Sequence, residues 1–432
     1  MQPGSMKQSA FTSVMILLAI FVLASTTGLV EPEQEDDTLF LVPDPSKPDL
    51  VHVVITNASR LVVHPSSALR LVTILNAPRM REIEGTSDLQ ILNVGGCLLE
   101  RLEDSLARLS GVRTLRFMCC QLKGTLDLAL LFATPALVSL SLEGNQFERV
   151  VRTQDPEQPH VLELLDLSGN ALEHFNWSVL EPFTKLNKLL LCRNRLISLT
   201  GEVRLPNLCV LSLRENRLIR ADLTGCDCAA LSQVQFARNG MVNWPTFAPS
   251  STALRSLELS DNHLSAVNYT ELAQHRSLSS LQLNRNAISS LEPTEAVGDN
   301  ETSLELPNLV SLFLQENRLE VLQLDRWKLP MLRMLSVVLN PLKSLPTNLF
   351  LRWPKLYYFY CYCPAIECVW IEQHRSYLAQ RSVQMSTWRA QGSKKDPTEQ
   401  SVMMMRFFPI VCISFAGSPG TTSPELTDSS AR

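Results

Sequence analysis

One spacing of apolar residues recurs about a dozen times along this 432-residue chain and constrains its fold more than any other feature. A clear copy has leucine at Leu162, Leu165, Leu167 and Leu172, with Asn170 between the last two. Copies begin at residues 89, 112, 137, 162, 186, 208, 231, 254, 278, 309 and 332, with a degenerate copy at 356. This regular period predicts a stack of short units, each of which buries its apolar face only against its neighbours.

The alternation inside each copy indicates what a unit looks like. Apolar residues at the fourth and sixth positions, such as Leu165 and Leu167, are typical of a short strand with one buried face. Because every unit contributes one such strand in the same register, the strands should lie side by side in a parallel sheet. The sequence therefore predicts an α/β-type solenoid, a horseshoe with the parallel β-sheet on its concave face and a mostly irregular or short helical convex side.

The ninth position of each copy is a polar column that we interpret as a structural ladder. An amide at this bend can donate and accept hydrogen bonds toward the backbone of its own and the neighbouring unit. Cys97 and Cys120 hold the same position in the first two copies, and we interpret them as small buried thiols of that ladder. The asparagines of the column are Asn145, Asn170, Asn194, Asn216, Asn239, Asn262, Asn286, Asn317 and Asn340.

The N-terminal segment predicts entry into the secretory pathway. Lys7 precedes an apolar run over residues 14–24, and a small, polar run follows it to residue 28, which is the order of a signal peptide over residues 1–28. The alternative, an uncleaved membrane anchor, needs about 20 apolar residues. Residues 29–38 read as an acidic linker. Four sequons fit the same route and predict glycosylation at Asn57, Asn176, Asn268 and Asn300.

The remaining boundaries follow from the repeats. Residues 39–88 are expected to form an N-terminal cap and irregular first repeats, with strands near residues 51–55 and 69–75. Residues 89–355 carry the repeats, and residues 356–390 the degenerate last repeat and a C-terminal cap. Residues 391–432 read as a disordered tail, with a mis-joined gene model as the alternative.

Eleven cysteines, an odd number, leave at least one thiol free or bonded to another molecule. Cys209 either takes part in a local bridge or is simply a small residue on the solenoid, and a bridge directly between Cys226 and Cys228 would be strained. The spacing of the last cysteines also fits zinc, but a secretory route favours disulfides. The candidate disulfide cysteines are Cys209, Cys226, Cys228, Cys361, Cys363 and Cys368.

Charge and motif content exclude several functions. The formal net charge of -4 offers no excess of cations for a phosphate backbone, so we expect no nucleic-acid partner. Seven histidines are scattered over different repeats without a metalloprotease motif or a nucleophile elbow nearby. The sequence therefore predicts a protein without enzymatic activity, cofactor, bound metal or stable membrane span.

Two outward-facing features remain as candidate contact surfaces. The third, fifth and seventh positions of the last copies carry apolar and aromatic groups, which supply much of the binding energy at protein interfaces. The alternative is that the C-terminal cap covers them. The candidate partner-binding residues are Phe313, Met334, Val338, Tyr358, Tyr360 and Tyr362.

The second feature is a strip of arginines around the bends. Acidic residues alternate with them, so the strip is either a site for an acidic partner or a solvated rim. Its members are Arg193, Arg195, Arg214, Arg217, Arg238, Arg285 and Arg318.

The repeats resemble the extracellular leucine-rich repeat superfamily over roughly residues 89 to 370. More finely, the chain resembles secreted insect leucine-rich immune proteins of the mosquito type that lack a coiled coil. This likeness rests on the signal-like segment, the dozen short repeats, and the segment Cys368-Val369-Trp370-Ile371 with Leu378-Ala379-Gln380-Arg381 behind it.

The resemblance implies a secreted protein of innate immunity. Its partners would be an extracellular protein such as a complement-like thioester protein, or a microbial surface, and a disulfide-linked dimer would be an option. A matrix or adhesion protein and a receptor-like ectodomain are the alternatives.

Overall fold

A computed structural model describes residues 33–35, 38–41, 50–63, 69–84, 88–102, 109–292, 303–361, 373, 374, 376 and 383–385. In this structure the chain coils about a single axis, and each coil contributes one strand to the same sheet. No helix in these ranges is long and apolar enough to cross a membrane.

Fifteen strands form the continuous sheet on the concave face, and every neighbouring pair in it is parallel. In chain order they are β1 Leu50–Ile55, β2 Leu71–Asn76, β3 Ile91–Gly95, β4 Thr114–Met118, β5 Ser139–Ser141, β6 Leu164–Asp166, β7 Lys188–Leu190, β8 Val210–Ser212, β9 Gln233–Gln235, β10 Ser256–Glu258, β11 Ser280–Gln282, β12 Ser311–Phe313, β13 Met334–Ser336, β14 Tyr358–Cys361 and β15 Val383–Met385.

The register of the sheet explains why a leucine period specifies it. Leu140, Leu165 and Leu189 pair across successive strands, and all three are fully buried. Each row of equivalent leucines therefore packs on the row before it and forms one continuous apolar core. The solenoid predicted from the repeat period is confirmed.

The convex side is built from short pieces. The helices with described bounds are the 3₁₀ helices Leu128–Ala133 and Trp177–Leu180, α1 Tyr269–Ala273 and α2 Leu349–Arg352. It also carries parallel strand pairs that the sequence did not predict: Lys123–Asp127 with Gln146–Val151, His174–Asn176 with Ser198–Thr200, Val203–Arg204 with Cys226–Asp227, Asp222–Leu223 with Thr246–Phe247, and Leu304–Glu305 with Trp327–Lys328. These segments occupy corresponding places in neighbouring coils, so their backbone groups can pair.

A separate four-stranded sheet lies at the N-terminal end. Its first two strands are antiparallel and the others are parallel. Part of the segment predicted as an acidic linker is one of these strands. The four strands are Glu33–Glu35, Thr38–Leu41, Arg60–Val63 and Glu82–Glu84.

The asparagine column lies at the bend after each concave strand. In Asn216, for example, Nδ2 donates to the carbonyls of Leu191 and Leu213 at 2.9 and 3.0 Å, and Oδ1 accepts from the N–H of Leu196 at 3.0 Å. Every asparagine of the column accepts in the same way from the preceding coil. One side chain therefore joins two bends and gives the N–H of the preceding coil an acceptor that it would otherwise lack.

The first two members of the column are not thiols, which corrects our interpretation. Cys97 and Cys120 form a disulfide, with their Cα atoms 4.1 Å apart and both side chains buried. The physical reason is the coil spacing, which places equivalent inward-pointing positions about 5 Å apart, a separation that a disulfide can span.

The other described cysteines resolve several alternatives. Cys226 is joined to Cys228, the pairing that we expected to be strained, whereas Cys209 is free and its sulfur accepts a hydrogen bond from Asn187 at 3.3 Å. Cys361 is disulfide-bonded. Cys363 and Cys368 lie outside the described residues, as do the closing segments 368–371 and 378–381.

Candidate functional site

The concave face of β12, β13 and β14 carries the apolar group predicted from the sequence. Phe313, Met334, Val338 and Tyr360 are half-buried, and Tyr358 is 39% exposed. Met334 pairs with Tyr358 across two adjacent strands. Tyr362 lies outside the described residues. We call Phe313, Met334, Val338, Tyr358 and Tyr360 the C-terminal patch.

A small residue lies at the centre of this patch. Ser336 pairs with Phe313 on one neighbouring strand and with Tyr360 on the other. Met334 and Val338 precede and follow it by two residues on its own chain segment, so they flank it on the same face. Ser336 is itself only 6% exposed. Four large side chains surround this one small serine, about 5 Å away across the strands and about 7 Å away along them, and we call this arrangement the socket.

Aromatic packing under the sheet holds the socket in place. Phe359, between Tyr358 and Tyr360 in sequence, points inward and is fully buried. Its ring meets that of Phe350 on α2 edge to face, with ring centroids 6.3 Å apart. On the outer side, the rings of Tyr357 and Tyr358 are also edge to face, at 4.9 Å. Aromatic pairs of this kind add to area burial, so β14 presents its tyrosines from a well-packed support.

Sequence reasoning missed two apolar residues next to the patch. Leu339 is 56% exposed, and Tyr357 is 46% exposed. Leu339 also adopts a φ of 57° at the eighth position of its coil, where earlier coils have Gly96, Gly144 and Gly169 or, more often, a charged residue. A left-handed leucine costs about 1 kcal/mol or more. An apolar residue that is both strained and exposed points to a role in binding rather than in stability.

A polar atom without a partner lies at the border of the patch. Gln315 occupies the seventh position of its coil, as Val338 does in the next, and its Oε1 is buried without a hydrogen bond. An orphaned acceptor is costly unless a donor reaches it. A ligand that brought an N–H or O–H group to the edge of the patch would satisfy it.

The middle of the concave face differs, because its polar groups bond to each other. The hydroxyl of Ser212 donates to Gln235 Oε1 at 2.6 Å and lies 2.9 Å from the sulfur of Cys192. Ser260 donates to Asn284 Oδ1 at 2.7 Å. Side chains that already pair across coils have less to offer to a ligand.

Charges on the same stretch are also paired. Arg193 reaches Glu143 two coils away at 2.8 Å. Burial raises the pKa of the Glu143 carboxyl above its usual range, and the nearby charge of Asp166 raises it further. Other arginines of the predicted strip pair in the same way: Arg214 with Glu258, Arg238 with Glu215, and Arg285 with both Asp261 and Glu316.

Three of the four predicted glycosylation sites fall in the described residues, on the convex side and at the N-terminal end. Asn57 and Asn176 are exposed, Asn268 is half-buried, and Asn300 lies outside the described residues. Asn176 and Asn268 each cap a short helix through Oδ1, which accepts from the N–H of Ser178 and of Glu271, both at 3.1 Å.

Histidines do not gather at any site that the structure describes. His160 illustrates their setting, since its Nε2 donates to the carbonyls of Leu131 and Thr134 at 3.1 and 3.2 Å, and its Nδ1 accepts from the N–H of Leu162. Burial lowers the pKa of this imidazole. Within the described ranges, no three His, Cys, Asp or Glu side chains are arranged to hold a metal ion.

No protein-family model matches the chain, and no curated protein matches it in sequence. Among solved structures, it is similar to the leucine-rich repeat domain of APL1B, with a TM-score of 0.51 and 21% identity over 63% of this chain and 76% of that one. A leucine-rich repeat protein of Leptospira interrogans gives a TM-score of 0.49 and 19% identity over 77% of this chain and 95% of that one. The Toll–Spätzle complex of Drosophila gives 0.40 and 16%, over 67% and 51%. The chain is thus a leucine-rich repeat solenoid in fold.

Proposed function

We propose that this chain is a secreted leucine-rich repeat protein that binds a partner protein through its C-terminal patch, without enzymatic activity. The observation that carries the proposal is the socket at Ser336, an apolar notch between large side chains on three adjacent strands, whereas polar groups of the middle coils bond to each other. A protruding apolar or aromatic side chain of the partner would fill the notch, and the partner's backbone N–H would reach Gln315. Such an anchor residue in a pocket is how interfaces obtain most of their binding energy.

The biological setting of the proposal is innate immunity outside the cell. Its support is the signal-like segment, the sequons and the resemblance to insect leucine-rich immune proteins. An extracellular protein, with a complement-like thioester protein as the first candidate, is the partner we favour over a microbial surface, because the socket suits one side chain rather than a repeating polymer.

Secretion has its own test. The Nδ2 atoms of Asn176 and Asn268 make no hydrogen bond within the described residues and can carry a glycan while Oδ1 keeps its cap. Intact-mass measurement of protein secreted by cultured insect cells should show a mature N-terminus near residue 28 and added glycan. A retained Met1 without glycan would contradict the secretory route.

Binding at the patch can be tested by photo-crosslinking. A benzoylphenylalanine placed at Met334 should capture a protein from extracellular fluid, identified by mass spectrometry, whereas the same group at Ser280 should not. Ser280 is the matched control because it holds the same third position of its coil and lies outside the patch. Crosslinks from position 334 only to residues 362–432 of the same chain would show that the cap covers the patch and would overturn the proposal.

A further inference from the structure

The arginine strip consists of two sets that differ in their partners. The arginines at the seventh and eighth positions face the concave side and are held by carboxylates. Those at the tenth position are Arg195, Arg217 and Arg318, which are exposed and make no ion pair with any described residue. Arg195 and Arg217 lie within residues 109–292, which are described without a gap, and neither has a carboxylate partner there.

Beside Arg195 and Arg217 runs a line of exposed aliphatic side chains. Ile197, Ile219 and Val242 occupy the twelfth position of three successive coils and are 51%, 63% and 48% exposed. The N–H of Val242 donates to the carbonyl of Ile219 at 3.0 Å, and that of Arg217 donates to the carbonyl of Leu196 at 3.0 Å, so the segments lie side by side. We call Arg195, Arg217, Ile197, Ile219 and Val242 the rim stripe.

The rim stripe is unusual because nothing in the repeat requires it. Equivalent positions in the flanking coils are polar, with Glu173 before the stripe and Ser265 after it. Isolated exposed aliphatics are ordinary, but three in a row beside two unpaired cations form a surface with both an apolar and an electrostatic component. Arg220 adds positive charge next to it, partly offset by Asp222, whose pKa is lowered mainly by hydrogen bonds from Thr224 and further by this arginine.

The spacing of the stripe indicates the shape of its ligand. Successive coils are about 5 Å apart, so the three aliphatics span about 10 Å. An α-helix rises about 5.4 Å per turn, and residues i, i+4 and i+7 span about 10.5 Å. In an extended strand, side chains on one face are about 6.7 Å apart, so three of them span about 13 Å. A strand would therefore not match the three aliphatic side chains, which span about 10 Å.

We propose that the rim stripe binds an acidic amphipathic helix of a partner protein, laid along the solenoid axis with one helical turn per coil. Its apolar residues contact Ile197, Ile219 and Val242, and carboxylates three or four residues apart on its adjacent face pair with Arg195 and Arg217. A protein helix is favoured over an anionic membrane because no exposed tryptophan or phenylalanine accompanies the aliphatics in this described part of the chain, and Trp244 is half-buried with its indole N–H bonded to Ala266.

The test uses the full secreted chain and two stapled helical peptides. Both are about 15 residues long with leucine at i, i+4 and i+7, one with glutamates and one with lysines on the adjacent face. By fluorescence anisotropy at about 0.15 M salt, the glutamate peptide should bind at least about tenfold more tightly than the lysine peptide. Arg195→Glu with Arg217→Glu should reverse that preference, and Ile219→Ser should weaken binding several-fold.

Matched variants show whether binding belongs to the rim stripe alone. Arg318→Glu with Val321→Ser changes an exposed arginine and an exposed aliphatic three coils or more away and should leave binding unchanged. Tyr358→Ser with Tyr360→Ser should also leave it unchanged, because the C-terminal patch is a different surface. Equal or absent binding of the two peptides would overturn the proposal. So would binding to phosphatidylserine vesicles that depends on the same arginines while the glutamate peptide fails to compete.

Discussion

The middle and the last coils of this solenoid share one backbone, one leucine core and one asparagine column, yet their concave faces differ. In the middle coils, Ser212, Gln235, Ser260 and Asn284 bond to each other across the coils. In the last coils, the same positions carry the C-terminal patch around Ser336. The inward-pointing residues therefore specify the fold in every coil. The outward-pointing residues can differ from coil to coil, and we assign partner binding to the coils where they are apolar and aromatic.

Substitution of buried residues should lower the free energy of unfolding strongly, even in the first coils, which lie outside both the middle and the last coils. Replacing Cys97 and Cys120 by serine removes a bridge across 23 residues and should cost about 3 kcal/mol of unfolding free energy. Urea unfolding under non-reducing conditions measures this. Cys209→Ser is the control, because that thiol is free and half-buried, and its effect should be small. An equal loss in both variants would mean that the bridge does not stabilise the first coils.

A smaller loss is expected when one member of the asparagine column is removed from the middle coils. Asn216→Ala removes the acceptor of the Leu196 N–H and one of the two donors to each of the Leu191 and Leu213 carbonyls, and should cost about 1 to 3 kcal/mol. The neighbouring exposed residue gives the comparison, since Arg217→Ala should change thermal stability little. If Asn216→Ala kept full stability but lost partner capture, the asparagine column would be part of a binding site. That result would contradict the claim that inward-pointing residues serve stability and outward-pointing residues serve binding.

Much of the fold could be predicted from the sequence, for a physical reason. A 22 to 25-residue leucine period has one way to bury its apolar positions, so the parallel sheet and its register follow from spacing alone. The convex strand pairs could not be predicted in this way, because their residues carry no period of their own and their pairing depends on how neighbouring coils lie against each other.

The sequence did not predict the disulfide between Cys97 and Cys120 or the socket at Ser336, and both omissions have the same cause. Each feature depends on contacts between neighbouring coils. Cys97 and Cys120 were considered one coil at a time, whereas their bond depends on the distance between two coils. Ser336 carries no signal in the sequence, since a serine at the fifth position resembles Ser141 or Ser212. It becomes the centre of a socket only because Phe313 and Tyr360 lie on the strands beside it.

The most direct test of binding at the C-terminal patch is the double variant Tyr358→Ser with Tyr360→Ser, measured for secretion, melting temperature and capture of the crosslinked partner. We predict unchanged secretion, a melting temperature close to that of the parent protein and a loss of capture of about tenfold or more, because these side chains project from the sheet while Phe359 keeps the core beneath it. Poor secretion of the variant would show that the two tyrosines stabilise the C-terminal end, and unchanged capture by a well-folded variant would contradict the claim that the C-terminal patch binds the partner.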